Sequence, residues 1–264
     1  MSPDDVQFAP LVWRGRPLRL EYQWVGDNAS ATPPIVFLHE GLGSLAMWKD
    51  FPARFCDDHG FRGLVFSRYG YGHSTPKPAD EHWTTDFMHA QAHEVLPMLF
   101  EQLQIERPWL FGHSDGASIA LLHAARFDLA GSVVVAPHLF VEDASIASIE
   151  AAREGYASTD LRARLGRYHA DPDSAFRGWN DAWLDPAFRA WNIEAELATI
   201  TCPVLAVQGE GDEYGTLAQI RAIKDRLPKT RLFVIPNCGH SPHRDQPELL
   251  AAQAARFIHD HPPS

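Results

Sequence analysis

The sequence predicts an α/β fold built on a mostly parallel, doubly wound sheet. Six short apolar runs lack the alternation of half-exposed strands, which is typical of parallel strands buried on both faces. Segments with apolar residues at three- and four-residue spacing lie between these runs and predict helices. Two earlier apolar runs flank a turn, and residues 138–200 hold no strand candidate. We therefore expect an antiparallel hairpin at one edge of the sheet and a helical insertion.

In chain order, the elements begin with the hairpin. Residues 11–13 and 18–25 flank Arg14-Gly15-Arg16-Pro17, whose composition predicts a tight turn. The buried strands are predicted at residues 35–39, 63–67, 109–112, 132–136, 204–208 and 232–236. The helices are predicted at residues 46–58, 85–104, 115–127, 216–226 and 247–259, the last with Pro247 in its first turn.

The insertion at residues 138–200 is too long to be a bare loop. Its helical segments are rich in Ala, Arg and Glu, and Trp179, Trp183 and Trp191 are concentrated there. We interpret it as a helical lid over the carboxyl edge of the sheet. The expected organisation is a core formed by residues 1–137 and 201–264, with the lid at 138–200.

Composition and charge restrict the classes of partner. The chain has 264 residues, with 23 Lys and Arg against 34 Asp and Glu, and a formal net charge of −11. An acidic surface repels phosphate backbones and anionic lipids, which disfavours nucleic-acid and membrane-surface roles. The first ten residues contain Asp4 and Asp5 but no apolar run, so they do not resemble a secretory signal. The apolar runs are also too short to span a bilayer.

The cysteines and histidines give no sign of a disulfide framework or a metal site. Cys56, Cys202 and Cys238 are widely separated and odd in number, which predicts free thiols and a reducing, cytoplasmic location. The 14 histidines are scattered without metal-ligand spacing. We expect no cofactor.

The strongest chemical signal is the G-x-S-x-G sequence at residues 112–116. It follows a predicted strand and precedes a predicted helix, which is the context that raises a serine hydroxyl above the edge of a sheet. The turn is so sharp that side chains at Gly112 and Gly116 would strike the neighbouring backbone, and Ser114 must tolerate strain. Ser114 is therefore the candidate nucleophile.

A serine hydroxyl needs a base to accept its proton, and the base needs an orienting carboxylate. His240 follows the last predicted strand, so it lies at the same carboxyl edge as Ser114. Alternative bases are His243, three residues further on, and His39 and His113. Asp212 follows the strand at 204–208 and is the candidate acid. Glu210 and Glu213 lie in the same loop and remain alternatives.

The developing negative charge of an acyl-transfer transition state needs two backbone N–H donors. One is expected from Asp115, directly after Ser114 and at the start of a helix. The other is expected from the glycine-rich turn at residues 39–44, from Gly41 or alternatively Leu42.

Together, these sequences resemble the α/β-hydrolase superfamily, over residues 11 to 260. The resemblance rests on HEGLGS at 39–44 with Trp48, RYGYGHS at 68–74, GHSDG at 112–116, and GHSP at 239–242 with Gln246-Pro247. The branch it resembles contains small bacterial carboxylesterases, lactonases and meta-cleavage-product hydrolases. Two positions depart from that branch, since Tyr69 replaces the first glycine of R-G-x-G-x-S and Glu40 replaces the usual glycine after His39.

The resemblance implies a serine hydrolase that cleaves a small, neutral or apolar ester or lactone through an acyl-enzyme. A serine rather than an aspartate at position 114, in the turn between strand and helix, argues against haloalkane dehalogenases and epoxide hydrolases. The alternatives are a carbon–carbon bond hydrolase of the meta-cleavage-product type and a ligand receptor that turns over slowly on the same fold.

Overall fold

The computed structural model describes residues 5–262, so residues 1–4 and 263–264 of the predicted core lie outside the described part. An eight-stranded sheet has the order β1-β2-β4-β3-β5-β6-β7-β8. Its strands are β1 Gln7–Trp13, β2 Arg16–Gly26, β3 Ile35–Leu38, β4 Arg62–Phe66, β5 Trp109–His113, β6 Gly131–Val135, β7 Val204–Gly209 and β8 Arg231–Ile235. Strand β2 is antiparallel to β1 and β4, and the remaining neighbours are parallel. The predicted fold class is confirmed.

The N-terminal hairpin turns at Arg14 and Gly15, which both have positive φ angles, of 50° and 77°. A two-residue turn of this kind matches the right-handed twist of the strands that it joins. Strand β1 begins at Gln7, earlier than the sequence predicts, and includes Pro10. A proline is tolerated there because β1 is an edge strand and one side of its backbone has no strand to pair with.

Helices pack on both faces of the sheet, and each face has its own apolar core. The helices are α1 Phe51–His59, α2 Phe87–Ala90, α3 Leu96–Leu103, α4 Asp115–Ala124, α5 Asp143–Ser158, α6 Leu161–Leu165, α7 Pro172–Trp183, α8 Ala218–Arg226, α9 Pro242–Asp245 and α10 Pro247–His259. Among the described residues, none of these helices has the length and hydropathy needed to span a bilayer.

The helix predicted at residues 46–58 is interrupted. Leu45–Trp48 forms a 3₁₀ turn, Lys49 adopts a φ angle of 56°, and α1 begins only at Phe51. Pro52 explains the break, because a proline lacks the N–H group and its ring would clash with the carbonyl of Trp48 in a continuous helix. The first turn of a new helix tolerates both defects.

The helix predicted at residues 85–104 begins at Phe87 and contains a π-helical segment, Gln91–Val95, between α2 and α3. Pro97 follows that segment. The wider π turn accommodates a residue that cannot donate a backbone hydrogen bond, and so the helical path continues through Pro97.

The inserted segment contains α5, α6 and α7, and its described backbone forms one isolated β-bridge, between Phe140 and Asn192. Helix α7 begins where the Asp171 side chain accepts a hydrogen bond from the Ser174 N–H, 3.0 Å away, with Pro172 in the first turn. Its apolar face buries Trp179 and Trp183 against the body of the protein. This face lies next to the site described below.

Candidate active site

Ser114 lies in the sharp turn between β5 and α4, with a φ angle of 54° and a ψ angle of −121°. This conformation is strained for a residue with a side chain. A Cβ atom at Gly112 would overlap the carbonyl oxygen of Gly116, and one at Gly116 would overlap the carbonyl oxygen of Leu38. The two glycines are therefore required by the close approach of α4 to the ends of β5 and β3.

The candidate base lies within hydrogen-bonding distance of the candidate nucleophile. His240 Nε2 is 2.9 Å from Ser114 Oγ, and His240 Nδ1 is 2.8 Å from Asp212 Oδ1. An ionised carboxylate can only accept, so Nδ1 carries the proton and Nε2 offers its lone pair to the serine hydroxyl. The structure thus brings together Ser114, His240 and Asp212 in the relation that a nucleophile, base and orienting acid require.

The loop after β7 keeps Asp212 in place. Its carboxylate accepts hydrogen bonds from the backbone N–H of Tyr214, 2.9 Å away, and from Gln208 Nε2, 3.1 Å away. Burial by itself would raise the pKa of Asp212, but the hydrogen bond and charge of His240, together with the Tyr214 N–H, hold that pKa below its usual value. Asp212 is therefore ionised at neutral pH.

The alternative acids lie elsewhere in this loop. Glu213 Oε2 accepts a hydrogen bond from the backbone N–H of His240, 3.1 Å away, and so contacts the main chain of that residue. Glu210 is exposed to solvent. Neither carboxylate occupies the position that Asp212 takes beside the imidazole.

The alternative bases have other partners. His113 Nε2 donates to the backbone carbonyl of His240, 2.7 Å away, and His39 Nδ1 donates to the Glu40 carbonyl over the same distance. His243 packs against Trp48, with 4.9 Å between ring centroids, and burial holds its pKa well below the usual value. These three rings support the loops around the site.

The first predicted oxyanion donor, the N–H of Asp115, lies at the first position of α4. N–H groups in the first turn of a helix have no intrahelical acceptor, and the helix dipole favours negative charge there. The Asp115 carboxylate is itself buried and accepts a hydrogen bond from Trp183 Nε1, 3.1 Å away. Burial raises the pKa of Asp115 to about 6, although Arg68 and Trp183 act in the opposite direction.

The second predicted donor, Gly41, lies against the indole of Trp179, which a Cβ atom at position 41 would overlap. The alternative, Leu42, has its carbonyl 3.1 Å from His169 Nε2. The glycine thus lets a tryptophan of α7 approach the turn directly. Gly41 remains our choice for the second donor.

Two aromatic neighbours of His240 were not identified from the sequence. The Tyr214 ring lies 4.7 Å from the His240 ring and the His138 ring 5.9 Å from it, measured between centroids. Burial lowers the pKa of His138 to about 3, so this second imidazole stays neutral beside the first. Tyr214 could have been identified from the sequence, because it follows the candidate acid Asp212 by two residues. His138 could not, because a histidine near the end of a strand is not distinctive.

The site is enclosed. Ser114 is 7% exposed and His240 is 9% exposed, and the side chains of Trp179 and Trp183 lie on the α7 side. Electrostatic interactions between such buried groups are stronger than in water, because their surroundings have a lower dielectric constant.

Comparison with known proteins identifies the family and the fold. A model of the alpha/beta hydrolase family matches residues 35–253. The 2-succinyl-6-hydroxy-2,4-cyclohexadiene-1-carboxylate synthase of Enterobacter sp. (strain 638) is 26% identical, covering 86% of this chain and 92% of that protein. The esterase YbfF of Escherichia coli (strain K12) is 22% identical, covering 89% and 96%. The crystal structure of VinJ has a TM-score of 0.76 and is 23% identical, covering 97% and 99%.

Proposed function

Since the chain belongs to the α/β-hydrolase family, we propose that it is a serine hydrolase that cleaves a carboxylic ester or lactone through an acyl-enzyme. The observation that carries this proposal is the unbroken hydrogen-bonded chain from Ser114 through His240 to Asp212, with both links under 3 Å. The nucleophile, base and acid are Ser114, His240 and Asp212. The oxyanion donors are the N–H groups of Gly41 and Asp115.

In the first step, Ser114 Oγ attacks the acyl carbon while its proton passes to His240 Nε2. The Asp212 carboxylate stabilises the imidazolium that forms, because it remains ionised and accepts from Nδ1. The carbonyl oxygen becomes an oxyanion that the two backbone N–H groups bind. The tetrahedral intermediate collapses as His240 returns the proton to the leaving alcohol oxygen.

In the second step, water attacks the acyl-enzyme and gives its proton to His240. The second tetrahedral intermediate releases the acid and restores the Ser114 hydroxyl. The net reaction adds one water molecule across one ester bond. For a lactone, the leaving oxygen stays attached to the acid, so the product is a single hydroxy acid.

The surroundings of the site favour a small, neutral or apolar substrate. Trp179 and Trp183 line the α7 side, and Tyr214 packs against His240. Pockets with apolar aromatic walls and a few polar groups bind the carbon skeleton of a ligand and leave its reactive group to the polar atoms. The partner is therefore a small molecule, and the acidic surface disfavours nucleic acids and anionic membranes.

The test is a screen of esters and lactones of graded acyl length with the wild type, Ser114→Ala and a matched control, Ser158→Ala. Ser158 is exposed on α5, and its hydroxyl donates to the Glu154 carbonyl. We expect multiple turnovers and organophosphonate labelling in the wild type and the control, and neither in Ser114→Ala. Labelling that persists in Ser114→Ala would place the nucleophile elsewhere.

The same screen, with a vinylogous diketone added to the substrates, separates the alternatives. A receptor would stall after about one turnover on every ester. A carbon–carbon hydrolase would leave esters nearly untouched and cleave a vinylogous diketone. Either result would replace the ester or lactone as the substrate class.

A further inference from the structure

The turn that follows β3 contains a carboxylate that the proposed mechanism does not use. Glu40 stands between His39 and Gly41, where the resembled family has a glycine. Its side chain is only 17% exposed. A Cβ atom at Gly43 would overlap the Glu40 carboxylate, so the turn is shaped around this side chain.

The carboxylate reaches two other parts of the site. Oε1 accepts a hydrogen bond from Arg244 Nη2, 3.1 Å away, and Oε2 lies 3.6 Å from His113 Nδ1. Burial alone would raise the pKa of Glu40, but its contact with His113 and the charge of Arg244 hold that pKa well below the usual value. Glu40 is therefore ionised at neutral pH.

One of these two partners belongs to the turn that carries Ser114, and the other lies next to the loop that carries His240. His113 directly precedes Ser114, and its Nε2 donates to the backbone carbonyl of His240, 2.7 Å away. Arg244 lies in α9, which begins two residues after His240. The side chain of Glu40 thus connects the turn at residues 39–44 with the two segments that carry Ser114 and His240.

The main chain of Glu40 is fixed as well. Its carbonyl oxygen accepts from His39 Nδ1 at 2.7 Å, from Arg68 Nη2 at 2.9 Å and from the Gly43 N–H at 3.1 Å. In a trans peptide the carbonyl of one residue and the N–H of the next point to opposite sides. Three donors on the Glu40 carbonyl therefore fix the direction of the Gly41 N–H, the proposed oxyanion donor.

We infer that Glu40 is a positioning residue that holds the Gly41 N–H, Ser114 and His240 in the relative positions that hydrolysis requires. The inference rests on the proposed function. Its physical basis is that the three groups come from three separate loops, and the contacts of the Glu40 carboxylate with Arg244 and His113 limit the relative movement of those loops. Because a displacement of a catalytic group by about 1 Å costs on the order of 100-fold in rate, small shifts of these three groups have measurable effects.

The experiment compares Glu40→Gln, Arg244→Gln and the double variant with the wild type. Arg231→Gln is the matched control, since Arg231 is 46% exposed like Arg244 and pairs with Asp260 at 3.0 Å on the far end of the sheet. The readouts are kcat and KM on a butyryl ester, inhibition by butylboronic acid, and thermal unfolding. The boronic acid forms a tetrahedral adduct with a serine, so its Ki reports transition-state geometry.

We expect Glu40→Gln to lower kcat about 10- to 100-fold with little change in KM, and to raise the Ki of the boronic acid in parallel. Arg244→Gln should do the same to a smaller extent. The double variant should cost no more than Glu40→Gln alone, because both changes break one connection. Arg231→Gln should match the wild type.

Ser114→Ala is measured alongside, so that the two failures are distinguishable. If Ser114→Ala is inactive while Glu40→Gln and Arg244→Gln keep wild-type kcat and Ki, the role of Glu40 is overturned and the proposed function stands. A lower melting temperature with unchanged kcat and Ki would overturn that role in the same way. Losses that add in the double variant would also contradict the shared connection. Activity that survives in Ser114→Ala would overturn the proposed function itself.

Discussion

Trp183 donates a hydrogen bond from its indole Nε1 to the carboxylate of Asp115, over 3.1 Å. One residue belongs to α7 of the inserted segment and the other directly follows the candidate nucleophile. The contact therefore joins the segment predicted to be a lid to the first turn of α4, where an oxyanion donor is proposed.

Replacing Trp183 by Phe should destabilise the protein more at pH 8 than at pH 5. The ring packing is largely kept, but the buried carboxylate loses its donor, at a cost of about 1–3 kcal/mol when it is ionised. Asp115 has a pKa of about 6, so it is mostly protonated at pH 5 and the loss is smaller there. The measurement is the free energy of unfolding from denaturant titrations at both pH values.

Trp191→Phe is the control for that variant. Trp191 is also a buried tryptophan of the inserted segment, and its indole N–H has no hydrogen-bond partner in the described part of the chain. Its replacement should cost the same at pH 5 and pH 8. An equal, pH-independent cost for both variants would mean that the hydrogen bond to Asp115 contributes nothing.

Asp115→Asn should change how stability depends on pH. Burial raises the pKa of Asp115 from 3.8 to about 6, so the folded state disfavours the ionised form. The stability that the protonated group provides is therefore full below pH 4 and is lost as the pH rises through 6, amounting to about 3 kcal/mol. The difference in unfolding free energy between the variant and the wild type should grow in the variant's favour from pH 4 to pH 7. A difference that stays constant over this range would show that folding does not raise the pKa of Asp115.

Asp212→Asn should lower the rate by about 10,000-fold, by analogy with serine proteases that lose the acid of the triad. An asparagine cannot stabilise the imidazolium, and it no longer fixes the tautomer of His240. Glu213→Gln should cost far less, since an amide oxygen still accepts from the His240 N–H, and so should Glu210→Gln at an exposed position. The comparison is kcat/KM on one ester. A crippling loss in Glu210→Gln instead would identify that residue as the acid.

Trp179→Ala should change the preference for acyl length without abolishing the chemistry. The indole covers Gly41 beside the proposed oxyanion hole, so its removal opens space there, which we expect the acyl chain of a substrate to occupy. Each methylene in such a pocket is worth about 1–3 kcal/mol in discrimination. We expect changed ratios of kcat/KM among acetyl, butyryl and octanoyl esters, with little loss on the acetyl ester. A uniform loss on all three would indicate general destabilisation, and no change would mean that Trp179 only holds α7 in place.

The sequence by itself determined the elements that depend on neighbouring residues. Both faces of β3 and β5 are apolar because both are covered, and that pattern is readable without coordinates. The turn that carries Ser114 was equally predictable from neighbouring residues, since a glycine is needed on each side of the serine where a strand turns this sharply into a helix. Pro52 and Pro97 were visible too, but the interrupted helix and the π segment that accommodate them were not predicted.

Only the tertiary structure decided which side chains meet. His240 lies 126 residues from Ser114 and 28 from Asp212, and its position in the sequence made it the candidate base but left His243 as an alternative until the distances were known. In the sequence, Glu40 is recognisable only as a departure from the family motif. The structure shows that its carboxylate lies between His113 and Arg244. The hydrogen bond from Trp183 to Asp115 was likewise invisible in the sequence. Secondary structure follows from backbone and solvent preferences within a few residues, whereas such contacts depend on where the sheet brings distant loops together.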